Sequence, residues 1–175
     1  MTTPYDYRNC QSLFGYAEFV HRRSGGVCQL CGCGASLIDF DLWRQFTVEH
    51  LIGSSQNGYL KQIRISVAQR FPTFSDSENL ALSSKIDSAN TVTACSFCNS
   101  TTSRDHHTQT MDDMILNLGE TADEMLALIV DELATILDNK RNAVRWKIES
   151  VRAAFENRIE PYLIDARSQR PIPTE

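Results

Sequence analysis

Residues 90–99 read Asn90-Thr91-Val92-Thr93-Ala94-Cys95-Ser96-Phe97-Cys98-Asn99. The β-branched run to Ala94 predicts a short strand. It leads into a Cys-x-x-Cys pair, and a helix is expected to begin near Cys98 and run to about Arg104. A matching pair lies upstream, Cys28-Gln29-Leu30-Cys31. Two such pairs have the spacing of a tetrahedral metal site, so Cys28, Cys31, Cys95 and Cys98 read as structural zinc ligands. Cys33 is an alternative to Cys31, although the two-residue spacing favours Cys31. Cys10 reads as a small buried residue.

Working outward, Phe46-Thr47-Val48-Glu49-His50-Leu51-Ile52 predicts a second strand. Residues 53–58, ending in Asn57-Gly58, read as a loop with a tight turn. Residues 59–71 fit a helix through Leu60, Ile63, Val67 and Phe71, and a strand through Ile63, Ile65 and Val67. Ser75 to Ser88 is polar and expected to be irregular. A helix over 11–23 ends at Ser24-Gly25-Gly26, and Gly32 and Gly34 suit a tight turn around a metal. Downstream, Thr121-Ala-Asp-Glu124 is a capping box. Two apolar stripes follow, Met125 to Leu137 and Val144 to Ile159, with Asp138-Asn139 between them. They predict an antiparallel helical hairpin, a single long helix being the alternative. They read as core packing or a dimer surface.

The chain has 175 residues, a hydrophobic fraction of 42% and a net charge of −5. This fits one globular domain with an appendage, and such a small core gains from a metal staple. Residues 1–110 hold nine basic and nine acidic side chains; residues 111–175 hold eight and thirteen. The N-terminal part can still present a local basic face through Arg22, Arg23, Arg44, Arg64, Arg70 and Arg104. The acidic part is expected to pack or to bind a protein, not phosphate. No apolar run is long enough for a membrane span and no signal-peptide core is seen, so a cytoplasmic, reducing setting is expected.

Glu49, His50 and Asn99 are the chemically suggestive residues. A histidine can take a proton from water near neutral pH. Oxygen donors such as a carboxylate and an amide suit Mg²⁺ or Mn²⁺. Each has a plainer reading: His50 as a core histidine, Glu49 as a residue that orients His50, Asn99 as a helix cap. His106 and His107 lie too far along a helix from Asn99 to share one metal, and read as solvated surface.

Together these segments resemble the HNH endonucleases, an α+β family built on the ββα-metal core. The resemblance covers roughly residues 12–107. The lead-in Arg22-Arg-Ser-Gly-Gly-Val-Cys-Gln-Leu-Cys-Gly32 looks like the approach to the family's first zinc knuckle. Glu49-His-Leu-Ile-Gly-Ser-Ser-Gln-Asn-Gly58 is similar to its Asp-His-Ile-x-Pro-x-Ser-x-Gly-Gly stretch, with Gly53 for proline and Asn57 for the first glycine. Asn90 to Asn99 looks like its Asn-Leu-x-x-Leu-Cys-x-x-Cys-Asn run. The resemblance implies His50 as general base, Glu49 and Asn99 as ligands of a catalytic Mg²⁺ or Mn²⁺, and Asn90 as an orienting residue. It implies cleavage of DNA to 5′-phosphate and 3′-hydroxyl ends, as in a restriction or phage-defence nuclease. Ser55 and Arg104 become nucleic-acid contacts, Arg104 standing in for a family lysine replaced here by Thr101, Thr102 and Ser103. The long stretch 59–89 reads as an insertion in a nuclease domain over 1–110. Residues 111–167 form a helical region for a homodimer or partner protein, and 168–175 a flexible tail. The alternatives are a non-catalytic zinc module that binds nucleic acid or protein, and a ribonuclease of the same fold acting on RNA.

Overall fold

The computed structural model describes residues 17–36, 39–102 and 109–168. The fold is α+β: a two-stranded antiparallel sheet surrounded by helices. Strand β1 (Phe46–His50) pairs with β2 (Thr91–Cys95), Phe46 opposite Cys95 and His50 opposite Thr91. Helix α1 (Ala17–Arg23) and a short α2 (Phe40–Trp43) precede the sheet. Two helices separate the strands, α3 (Leu60–Arg70) and α4 (Asp76–Asn90). After β2 come α5 (Ser96–Thr101), α6 (Met111–Asn117), the 33-residue α7 (Ala122–Ala154) and α8 (Glu160–Ser168).

Three sequence expectations are corrected. The polar stretch from Ser75 to Ser88 is helical. Ser75 Oγ accepts from Glu78 N at 3.3 Å and Glu78 Oε2 accepts from Ser75 N at 2.8 Å, a complete capping box. The helix was hidden because its buried face is largely polar: Asn79, Ser83, Asp87 and Asn90 accompany Leu82 and Ile86. The ambiguity at 59–71 resolves as helix, with Ile63, Ser66 and Val67 buried and Ile65 turned to solvent. Helix α5 starts at Ser96, before the expected point, because Cys95 itself caps it.

The helical hairpin is the third correction. Asp138 and Asn139 do not interrupt α7. Residues 122–160 contain neither glycine nor proline, and an Asp or Asn inside a helix costs only about 0.5 kcal/mol. Asp138 also accepts an ion-paired hydrogen bond from Arg141 one turn on, at 2.9 Å. The predicted box at Thr121 is present, with Thr121 N donating to Glu124 Oε2 at 3.2 Å. Between α7 and α8, Phe155–Ile159 widens to a π turn in which Glu160 N reaches Phe155 O. Pro161 follows. It cannot donate to Asn157 O and its ring crowds that carbonyl, and the wider turn relieves both.

Two apolar clusters make the core. The larger joins Leu51, Ile52 and Val92 to the helices between the strands and to Met125, Ile129 and Leu133 of α7. The smaller packs Cys28, Leu30, Phe46, Ala94, Cys95 and Cys98 around Val144 of the same helix. One long helix thus braces both clusters. Beyond Ile148 it stands clear of them, with Val151, Phe155, Ile159 and Tyr162 exposed. Among the described residues no helix is long and apolar enough to cross a membrane.

Candidate active site and cysteine cluster

The first knuckle is shaped by left-handed glycines. Gly34 has φ +92°, and a Cβ there would lie 2.8 Å from Gly26 O, so only glycine lets the chain close on itself. Cys28 N donates to Cys33 O at 2.9 Å, and Gly32 N to Cys28 O at 2.8 Å. The Sγ atoms of Cys28, Cys31, Cys33 and Cys95 all lie within 4.8 Å of one another. These four can hold a metal ion such as zinc. Cys33 therefore stands beside Cys31 and does not replace it. Cys98 is fully buried and its thiol meets those of Cys28, Cys31 and Cys95, so five thiols share one knot.

Hydrogen bonds from Cys31, Cys95 and Cys98 hold the Cys28 thiol far below the ordinary thiol range. Facing Cys28 and Cys31, Cys95 and Cys98 are pushed up. Burial pushes the Cys33 thiol up to about 12. Cys31 is lowered as well, and a dication held among these sulfurs would displace thiol protons. Backbone donors also point at sulfur: Cys95 N lies 3.3 Å from Cys28 Sγ and Cys98 N 3.5 Å from Cys95 Sγ.

Beside this cluster lies a cleft of about 430 Å³, lined by Glu49, His50, the turn 53–56, Tyr59, Asn99 and Lys140. Glu49 and His50 end β1. Asn99 projects from α5, and its Nδ2 donates to Thr47 Oγ1 on β1 at 2.8 Å. That bond uses the nitrogen end of the amide. The oxygen end, the atom a hard cation takes, is not consumed by it. Ser55 lines the cleft as well.

The loop after β1 is fixed from beneath by Asn90, which is fully buried. Its Oδ1 accepts from Ile52 N at 2.8 Å, and its Nδ2 donates to Ile52 O at 2.9 Å and Gly58 O at 2.8 Å. The approach is so close that a Cβ on Gly58 would lie 1.8 Å from Ile52 O. Asn57 takes the left-handed turn at φ +62°, a conformation Asn tolerates better than most residues. Its amide is anchored by a hydrogen bond to Asp112 at the start of α6.

His50 packs against Tyr59 with the rings tilted by 33° and their centroids 4.2 Å apart, and its Nε2 lies 4.0 Å from Asp87 Oδ1 on α4. Burial lowers its pKa to about 4, so the imidazole is neutral at pH 7. Glu49 accepts a charged hydrogen bond from Lys140 Nζ at 2.7 Å, with 16% and 12% of the two side chains exposed. The acidic C-terminal third, expected to pack or to bind a protein, also sends a cation into the cleft through Lys140 of α7. Arg141 Nε donates to Gln29 O at 2.8 Å, and Lys147 donates to Thr101 O, which seat α7 on the first knuckle and on α5.

Lys140, Asp87 and Tyr59 were not picked out from sequence. Lys140 and Glu49 are 91 positions apart, on a helix whose pattern signals only packing. Arg104, His106, His107 and Cys10 lie outside the described residues. Comparison of the chain with protein-family models, with curated proteins and with solved structures gives no match.

Proposed function

We propose that the chain is a metal-dependent phosphodiesterase. More particularly, we read it as an HNH endonuclease of the ββα-metal type that hydrolyses DNA to 5′-phosphate and 3′-hydroxyl ends. One observation carries this reading: Glu49, His50 and Asn99, drawn from β1 and α5, line a single cleft beside a knot of cysteines. Asn90 supports it by tying down the loop between them, the part the resemblance gives it. Both departures from the motif are compatible with the residues they replace. Gly53 has φ −79°, within proline's range, and Asn57 holds the left-handed turn of the replaced glycine.

Cys28, Cys31, Cys95 and Cys98 are read as structural zinc ligands with Cys33 as a neighbouring thiol. Zinc held there would tie the start of α5, and so Asn99, to the first knuckle beside β1. Glu49 and Asn99 fit a hard divalent cation: one carboxylate already paired with a positive charge, and one amide whose oxygen is not used by Thr47. A Mg²⁺ or Mn²⁺ ion held there would neutralise charge on the phosphoryl and leaving oxygens. His50, neutral and half enclosed by Tyr59, takes the proton of the attacking water. The 4.0 Å approach of Asp87 places a carboxylate where it favours the imidazolium that results. Ser55 on the cleft wall and Arg104 are assigned to the DNA backbone. The exposed stripe from Val151 to Tyr162 is assigned to a second copy or a partner protein.

Purified protein is expected to nick or cut plasmid DNA with Mg²⁺ or Mn²⁺, and His50→Ala to slow this by about 10²–10⁴-fold. Cleavage by His50→Ala at the wild-type rate would remove the catalytic assignment. Preference for total RNA over plasmid in the same assay would make the enzyme a ribonuclease.

A further inference from the structure

The nuclease reading gives Lys140 no task, yet this side chain is the cation nearest Glu49. We propose that Lys140 belongs to the active site: its ammonium holds the divalent cation's place on Glu49 until one binds, and is then released to a phosphate oxygen of the substrate. The inference rests on the nuclease reading for the identity of that substrate.

Three observations support it. Lys140 Nζ touches Glu49 Oε1 at 2.7 Å in a cleft where both side chains are nearly enclosed. An ammonium and a metal ion on one carboxylate repel each other at close range, so binding of either weakens the other and the two cations compete. Lys140 also lines the cleft jointly with His50 and Asn99, so an ammonium released from Glu49 remains inside the reaction space. Its helix cannot swing away with it, because Arg141 and Lys147 tie α7 to the first knuckle and to α5. Only the flexible lysine stem has to move. Lysine suits this exchange, being a compact charge on four methylene groups without a fixed bidentate geometry. Finally, positions 101–103 after Asn99 carry no basic side chain, and Lys140 supplies a positive charge to the same cleft.

The test is a Mn²⁺ titration of zinc-loaded protein, followed by plasmid cleavage at saturating Mn²⁺. Lys140→Met should bind Mn²⁺ about tenfold more tightly than wild type, which corresponds to about 1.4 kcal/mol of relieved competition. It should nevertheless cleave at least about tenfold more slowly, having lost a phosphate contact. Lys140→Arg should restore part of the rate. Arg145→Met removes an equal charge from an exposed position further along α7, and should leave Mn²⁺ affinity within about twofold, an exposed charge being screened by solvent. The opposite signs are diagnostic, since a side chain needed only for folding would weaken metal binding and cleavage together. Unchanged or weaker Mn²⁺ binding by Lys140→Met overturns the proposal, and so does undiminished cleavage. Should wild type fail to cleave while the titration keeps this order, the nuclease reading falls and the exchange on Glu49 stands. Thermal melting checks that the variant folds. In unaltered protein, reductive methylation of Lys140 read by mass spectrometry should rise when Mn²⁺ is added; no rise contradicts the exchange.

Discussion

His50 is the residue on which chemistry and stability meet. Its pKa falls from 6.5 to about 4 because burial penalises the imidazolium. The unfolded chain therefore binds more protons than the folded one between those values, and stability rises with pH across that window. The contribution is complete above pH 6.5 and is lost as the pH falls to 4. The side chain is only 17% exposed, so solvent screening is modest and the loss amounts to about 3 kcal/mol. Thermal or urea unfolding from pH 7 to pH 4 should show a slope that is shallower in His50→Gln, the remainder including the buried His21, whose pKa burial also lowers. Parallel slopes in the two proteins would mean that His50 is not held neutral by the fold. The same burial leaves His50 unprotonated at pH 7 but lowers its basicity, which the Asp87 carboxylate 4.0 Å away would offset as a proton arrives. Glu49 at the adjacent position is ion-paired, so the cleft does not repel an incoming phosphate as a bare carboxylate would.

At the scale of elements, α4 and α7 show what a sequence pattern reveals and what it conceals. The two strands, the knuckle glycines and the Thr121 cap were legible because each rests on local chemistry. Helix α4 carried one clear local signal, Ser75 with Glu78, but its buried face uses Asn79, Ser83, Asp87 and Asn90. An apolar count passes over such a face. The residues are polar because they have work to do: Asn79 donates to Arg64 O at 3.1 Å, and Asn90 holds the loop after β1. In α7 the pair Asp138-Asn139 looked like a hinge, and tertiary contacts on both sides of it keep the helix whole. Asn139→Pro should cost about 3 kcal/mol or more and separate Lys140 from the cleft, lowering the melting temperature. A variant that melts like wild type would show that the chain does turn at this point. The Lys140–Glu49 contact was illegible for a different reason. It joins positions 91 residues apart, and neither neighbourhood carries a mark of the other.

Across the whole molecule, α7 is the member that unites the parts. Its first half closes the larger core through Met125, Ile129 and Leu133, and its middle closes the cysteine-lined core through Val144. Between the two it delivers Lys140 to the cleft. The acidic third is not uniformly anionic toward its neighbours, since its Lys140 reaches the cleft and pairs with Glu49. On the proposed reading, one scaffold carries two metal centres of different chemistry. Soft sulfur ligands would hold a structural ion, and hard oxygen ligands the ion that works beside His50. Crystals grown with Zn²⁺ and soaked in Mn²⁺ test this most directly, through anomalous diffraction at the edges of both metals. The account predicts a zinc peak among Cys28, Cys31, Cys95 and Cys98, and a separate manganese peak in the cleft lined by Glu49 and Asn99. Manganese bound elsewhere, or a cleft that stays free of it at saturation, would contradict the account.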